Sequence, residues 1–209
     1  MLHDRTIRVA TKRLDLVTMT GDDLPFLHRL LGRPAVVPDG VRVERLKQGV
    51  SAAIHDRDYE LWYDADYVDE WPQRTAEREA KHGHAFWTAI ERATGEPVGI
   101  YGPIGLSDSA GGAIEIGWYT AATFRRRGFA SEAARACIQW TFENRGVDEV
   151  ASMILPANGP SAAVAISLGM TRRPAPVEHA GLVHDHYAMR RKEWVDALAR
   201  SAPPDAAPE

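Results

Sequence analysis

Three consecutive arginines, Arg125, Arg126 and Arg127, lead through Gly128 into Phe129, Ala130 and Ser131 and on into EAARACIQW, an amphipathic helical pattern. A basic turn that enters a helix points unpaired backbone N–H groups and the positive end of the helix dipole at one spot, which is an anion site in outline. Gly128 has no side chain to obstruct close approach, and small Ala130 keeps the next turn low. A diphosphate therefore has room to lie on the main chain, with mobile arginine charge at its edge. Two other phosphate loops are excluded by spacing, since no GK[ST] follows and the triplet G-x-G-x-x-G is missing. Taken alone, the same pattern also fits a solvated basic turn that starts a helix.

Other residues can move protons or bind cations. Glu115 alternates with Ile114 and Ile116 in AIEIGWYT, so on a strand it projects to the face opposite its two apolar neighbours and can accept a proton, directly or through water. Asn158 stands where a helix would be capped and Ser161 falls in its first turn, so plain capping is a sufficient role for either. His184, Asp185 and His186 form an H-D-H triplet whose histidines share a strand face, but a third and fourth ligand are not evident and no metal is expected. Cys137, the single cysteine, lies in an apolar helical pattern where a buried thiol is commonplace. Residues 56 to 70, DRDYELWYDADYVDE, hold seven acids with Tyr59, Trp62, Tyr63 and Tyr67 interleaved. Two readings stand for this stretch: attraction of a cationic acceptor, with Asp64 and Asp66 among the acids responsible, or aromatics turned into a core with acids in water.

The elements around these residues follow from periodicity. Residues 7 to 19 alternate as a strand, and TGDDLPFLHRLLG follows as a helix with Thr20 as cap, Asp22 and Asp23 in the first turn and Gly32 at its stop. PAVVPDGV reads as a loop, RVERLKQGVSAAIHDRD as helical and PQRTAEREAKHG as a short helix. HAFWTAIE, VGIYGPIGL and AIEIGWYT, separated by turns at ATGEP and SDSAGG, form a meander of three antiparallel strands. A helix near 128 to 145, the strand EVASMIL, a helix from about 159 to 168 and a strand pair around TRRP and HDHYAMRR complete the order. A strand, helix, strand unit with short connections implies one parallel pair in a mixed, mostly antiparallel sheet flanked by helices, of α+β class.

The chain has 209 residues, of which 44% are hydrophobic and 26% charged, enough for one core and one domain over residues 1 to 198. The Pro- and Ala-rich tail, 199 to 209, is expected to be disordered. A net charge of -4 argues against a surface that clamps nucleic acid over its whole extent. No stretch approaches a membrane span and the opening lacks a secretory core, so a cytoplasmic protein without a membrane partner is expected.

The order strand, Arg125-x-x-Gly128-x-Ala130, helix, strand resembles the coenzyme A site of the GCN5-related N-acetyltransferases (GNAT). Asn158, Ser161, Leu168, Gly169 and Met170 are similar to the family's following helix, and both TKRLDLVTMTGDDLPFLHRLL and GLVHDHYAMRRKEW resemble the branch that acetylates ribosomal-protein N termini and small amines. The resemblance weakens between residues 33 and 83, the region it would assign to the acceptor site. It implies acetyl-CoA as co-substrate, a splayed parallel pair with the pantetheine arm against the backbone of Trp118, Tyr119 and Thr120, and Asn158 touching that arm or its phosphate. It further implies an amine acceptor, Ser161 as the group that protonates the departing thiolate or holds a water that does, and a homodimer, with Glu115 the candidate base from its place on the strand. Two rivals stay open: a coenzyme A sensor without catalysis, and an RNA-binding patch built from Arg125 to Arg127 with Arg172 and Arg173.

Overall fold

The computed structural model describes residues 5–37, 39–46, 49–55, 60–106, 113–179 and 181–201. The chain runs β1 (Ile7–Ala10), β2 (Leu14–Val17), a 3-10 turn (Gly21–Asp23), α1 (Leu24–Leu31), β3 (Val41–Arg45), β4 (Ser51–His55), β5 (Leu61–Tyr63), α2 (Ala65–Asp69) and α3 (Trp71–His82). It continues with β6 (Trp87–Glu91), β7 (Pro97–Leu106), β8 (Ile114–Thr120), α4 (Phe129–Asn144), β9 (Glu149–Ile154), α5 (Gly159–Leu168), β10 (Thr171–Arg172), β11 (Val177–His179), β12 (Leu182–Arg190) and α6 (Arg191–Ser201). The main sheet has the order β1-β2-β6-β7-β8-β9-β12-β10, with β11 on β12, and a separate sheet has the order β3-β4-β5.

The expected meander is present as β6, β7 and β8, all antiparallel, while its SDSAGG turn lies outside the described residues. The parallel pair is β8 with β9, joined through α4. Side-chain alternation gives the sheet two faces. Ile114, Ile116 and Trp118 pack on one side with Phe129, Ile138 and Phe142 of α4 and Ala165 and Leu168 of α5. Tyr119, with Phe86 and Ile100, packs on the other with Leu27 and Leu31 of α1, Tyr63 of β5 and Trp71 of α3.

Three expectations are corrected. Residues 7 to 19 form a hairpin rather than one strand: the Thr11 N–H donates to the Leu14 carbonyl at 2.8 Å, and the Leu14 N–H returns to Thr11 Oγ1 at 2.9 Å. The helical reading of RVERLKQGVSAAIHDRD fails, because β3 and β4 pair in register from Val41 with His55 to Arg45 with Ser51. Val43, Leu46, Val50 and Ile54 have helical spacing, but Gly49 at φ 76° reverses the chain, and the Leu46 N–H reaches the Val50 carbonyl at 3.0 Å. Residues 199–201 close α6, whose Trp194 packs on Phe142; the rest of the tail lies outside the described residues.

The start of α1 follows the predicted cap in part. Asp23 Oδ2 accepts the Thr20 N–H at 2.9 Å, and the same carboxylate, 2% exposed, binds Arg5 at 2.9 Å. At α5 the cap is as read, with Asn158 Oδ1 accepting the Ser161 N–H at 3.1 Å.

Candidate active site

Strands β8 and β9 pair only at Ile114 with Val150 and Glu115 with Ala151. Past that point Ser152 Oγ donates to the Ile116 carbonyl at 2.7 Å, a side chain standing in for the next ladder bond. Beyond it the strands part, so the β9-facing backbone edge of β8 from Gly117 to Thr120 borders a cleft of about 910 Å³. The cleft is lined from both sheet faces and from α5, and it contains Glu115, Trp118, Tyr119, Thr120, Asn158 and Ser161.

At one end of the cleft lies the arginine turn. Gly128 has φ 81° and Arg126 φ 60°, and the first ladder bond of α4 is Glu132 N–H to the Gly128 carbonyl at 3.1 Å. The N–H groups of Phe129, Ala130 and Ser131 are therefore left without intrahelical acceptors. The Phe129 side chain is 1% exposed within the core, so only its backbone is available to a ligand.

The arginines differ from the mobile fringe expected of them. Arg125 bonds Glu60 at 2.6 Å and the Thr120 carbonyl at 3.1 Å, while Arg127 bonds Glu91 at 2.8 Å and lies over the rings of Phe124 and Phe129. Arg126 is exposed and has no ion pair among the described residues. Arg13, which sequence reasoning missed, braces the turn: it bonds Glu132 at 2.6 Å, donates to the Arg127 carbonyl at 2.9 Å and stacks on Phe129. Partial burial favours the protonated form of Glu132, but hydrogen bonds from Thr11 and Arg13 outweigh it and hold this carboxyl below its usual range. The signal was not local, because Arg13 lies 119 residues before its partner.

The proton-handling residues fall on opposite faces. On the α5 face, Trp118 Nε1 donates to Ser161 Oγ at 3.3 Å, which leaves the serine O–H free to donate elsewhere. On the other face Glu115 is 8% exposed, not solvent-facing, and lies near the hydrogen-bonded pair Tyr63 and Tyr119. Burial raises the pKa of both phenols, so they stay protonated.

The acidic stretch is divided: Glu60, Leu61 and Trp62 line the cleft, while Tyr63, Asp64, Asp66 and Tyr67 follow the bland reading. Tyr63, Tyr67 and Trp71 stack into one aromatic cluster, Asp64 faces Arg33, and neither Asp64 nor Asp66 lines the cleft; residues 56–59 lie outside the described residues. The H-D-H triplet is divided, with Asp185 bound by Arg172 and His184 Nδ1 at 2.9 Å from the Leu182 carbonyl; among the described residues no metal-like group of donors is gathered. Burial pushes the Cys137 thiol pKa far up, which makes it a core residue and a poor nucleophile. Four of the five arginines proposed for RNA face carboxylates, through Arg125–Glu60, Arg127–Glu91, Arg172–Asp185 and Arg173–Glu149. Among the described residues no helix is long and apolar enough to cross a membrane.

Comparison with known proteins agrees with this architecture. Residues 13–171 match the model of the acetyltransferase (GNAT) domain, and the chain belongs to that family of N-acetyltransferases. YkkB of Bacillus subtilis is 29% identical over 173 residues, spanning 78% of this chain and 92% of that protein. The B. subtilis N-acetyltransferase YjdG is 26% identical over 149 residues, 68% of this chain and 81% of its own length. Among solved structures, an acetyltransferase from Agrobacterium tumefaciens superposes with a TM-score of 0.67 at 24% identity, over 89% of this chain and 96% of that one. The aminoglycoside acetyltransferase AAC(6')-Ib, solved in complex with coenzyme A, has a TM-score of 0.62 at 18% identity, over 89% of this chain and 98% of its own. These two share the GNAT fold with this chain.

Proposed function

We propose that this protein transfers an acetyl group from acetyl-CoA directly to a primary amine of a small molecule or a peptide N terminus. The observation that carries the reading is the splayed β8–β9 pair, whose β8 backbone edge at 117–120 borders a cleft that ends at the N-terminus of α4. The residues present fit the co-substrate. Backbone N–H groups at Phe129, Ala130 and Ser131, with Arg126 beside them, suit a diphosphate, and the edge of Trp118, Tyr119 and Thr120 suits the amides of pantetheine. Acetyl-CoA would supply the acetyl thioester.

The chain's own groups divide the proton work. The Glu115 carboxylate attracts the ammonium form of the acceptor and takes one proton from it, so that the nitrogen lone pair is free to attack. As the new C–N bond forms and the C–S bond breaks, the Ser161 hydroxyl passes a proton to sulfur and regains one from the acylated nitrogen. The balance is ammonium plus thioester giving amide, thiol and one proton released to solvent. Asn158 uses its Oδ1 in the helix cap and has its amide N–H groups left for the pantetheine arm. Glu115, with the rings of Trp62 and Phe86, supports a cationic acceptor on that side of the cleft, where Glu60 is already paired with Arg125.

Calorimetric titration of wild type and Gly128→Glu with acetyl-CoA tests this reading. At Gly128 a Cβ would meet Arg13 Nη2 at 3.3 Å on a backbone of φ 81°, and the new carboxylate would occupy the diphosphate position. Micromolar binding to wild type, weakened at least about 100-fold in a variant with unchanged circular dichroism, is expected. No binding to wild type would end the proposal, while binding without transfer to any of a broad amine panel would favour the sensor reading.

A further inference from the structure

The Glu115 face of the cleft is apolar to an extent that proton transfer does not require. Leu30, Leu61, Phe86, Ile104 and Tyr119 belong to the hydrophobic cluster on that face of the sheet, and the same five residues line the cleft. Leu30 comes from α1, Leu61 from β5, Phe86 from just before β6, Ile104 from β7 and Tyr119 from β8. All but Phe86 are only half-buried, so the cluster opens into the cleft instead of closing beneath it.

Strand alternation sets where this surface stands relative to the carboxylate. Positions 115, 117 and 119 of β8 face one side, opposite Ile116 and Trp118. At Gly117 the missing side chain lets two apolar groups onto the main chain: a Cβ there would meet Phe86 Cζ at 2.6 Å and Ile104 Cδ1 at 3.2 Å. The Phe86 ring in turn meets the Tyr119 ring edge-on, with centroids 5.8 Å apart. An apolar floor therefore begins one same-face position along the strand from Glu115, about 7 Å by strand rise. That is the reach of a two- or three-carbon chain between a nitrogen and a ring. Charge on this side disfavours a polycation. Among the described residues lining the cleft the other carboxylate, Glu60, holds Arg125 at 2.6 Å, so a second ammonium would have to displace a guanidinium. Apolar surface open to a cleft gains from a ligand group that removes it from water.

We propose that the acceptor is a primary amine two or three carbons from an aromatic ring, with its nitrogen at Glu115 and its ring on Leu61, Phe86 and Ile104. This rests on the acetyltransferase reading above and narrows its amine. The ring is held by burial of apolar area and by edge-to-face contact with the Phe86 and Tyr119 rings, and takes no part in the bond exchange already balanced. Gly117 sets the specificity, since a side chain there would push Phe86 and Ile104 into the place of the ring.

Steady-state kinetics at saturating acetyl-CoA test this with 2-phenylethylamine, with 2-methoxyethylamine as a polar amine of similar basicity, and with spermidine. The expected kcat/KM for 2-phenylethylamine is at least about 30-fold above that for 2-methoxyethylamine, and above that for spermidine. A smaller ratio, or spermidine as the better substrate, overturns the proposal. Ile104→Thr keeps a β-branched strand residue while making this wall polar. It should lower the phenyl-to-methoxy ratio at least about fivefold with the acetyl-CoA Kd within about twofold of wild type. An unchanged ratio in the folded variant overturns the placement of the ring; should that variant not fold, Leu61→Thr is read in the same way. Phenylalanyl-alanine against glycyl-alanine identifies the source: a matching ring preference assigns the first residue of a peptide, and a preference confined to free amines assigns a small molecule. Transfer to other members of an amine panel but not to 2-phenylethylamine overturns this proposal alone, whereas failure of wild type to bind acetyl-CoA would overturn the acetyltransferase reading itself.

Discussion

On the α4–α5 face of the sheet, the groups proposed to hold the cofactor come from three short runs: residues 118–120, 125–131 and 158–161. On the other face, the acceptor side draws on Glu60 and Trp62 before β6, Phe86, Ile104 of β7, Glu115 and Tyr119 of β8, and His184 of β12. The proposed cofactor side would work largely through main chain, at a left-handed glycine and a helix start. The proposed acceptor side would work through side chains that meet only because distant strands are brought together. On that proposal the contrast separates what sets the common chemistry from what sets the substrate.

Substitutions sharpen this contrast. The largest expected effect is in Glu115→Gln, which should lower kcat on a cationic amine by roughly 100-fold while the acetyl-CoA Kd stays within twofold; parallel loss of cofactor affinity would dissolve the division of faces. Next is pH. Burial, with the nearby Arg145 charge, lowers the pKa of His84 to about 4. The unfolded chain therefore takes up this proton before the folded one, and stability should fall as pH drops from about 6.5 to 4, by about 2–3 kcal/mol. Urea unfolding of wild type and His84→Phe measures it, and an equal slope in both would remove His84 as the cause.

Ser152→Ala removes the hydroxyl that bonds the Ile116 carbonyl where the strands part, and should cost about 1–3 kcal/mol in urea unfolding. Acetyl-CoA affinity should drop with it if that bond fixes the opening; loss of stability alone would mean the splay is held by the flanking packing. The smallest effect is expected for Asp64→Asn with Asp66→Asn. These acids lie outside the cleft, so the ratio of amine KM for cationic and neutral acceptors should not change, and a selective rise for cations would return Asp64 and Asp66 to the acceptor site.

The sequence was most informative where chemistry depends on neighbours in the chain. Glycine between a basic turn and a helix, an Asn–x–x–Ser cap, and period-two alternation in β6 to β8 are set by φ, capping and burial within a few residues, so they were legible before any tertiary structure. Residues 41–55 were misread because apolar residues three and four apart fit a helix as well as a hairpin, and the decision fell to Gly49 and to pairing with β5. The pinned state of Arg125 and Arg127, the Arg13 brace and the burial of Glu115 required folding. Each is a contact between residues 36 to 119 positions apart, or the result of covering a strand face by distant elements. The amino-acid order alone determined the glycine turn into α4 and the strand alternation; only the tertiary structure decided which charges stay available at that turn and which side chains share the cleft with Glu115, because long-range packing, not local propensity, brings them within reach.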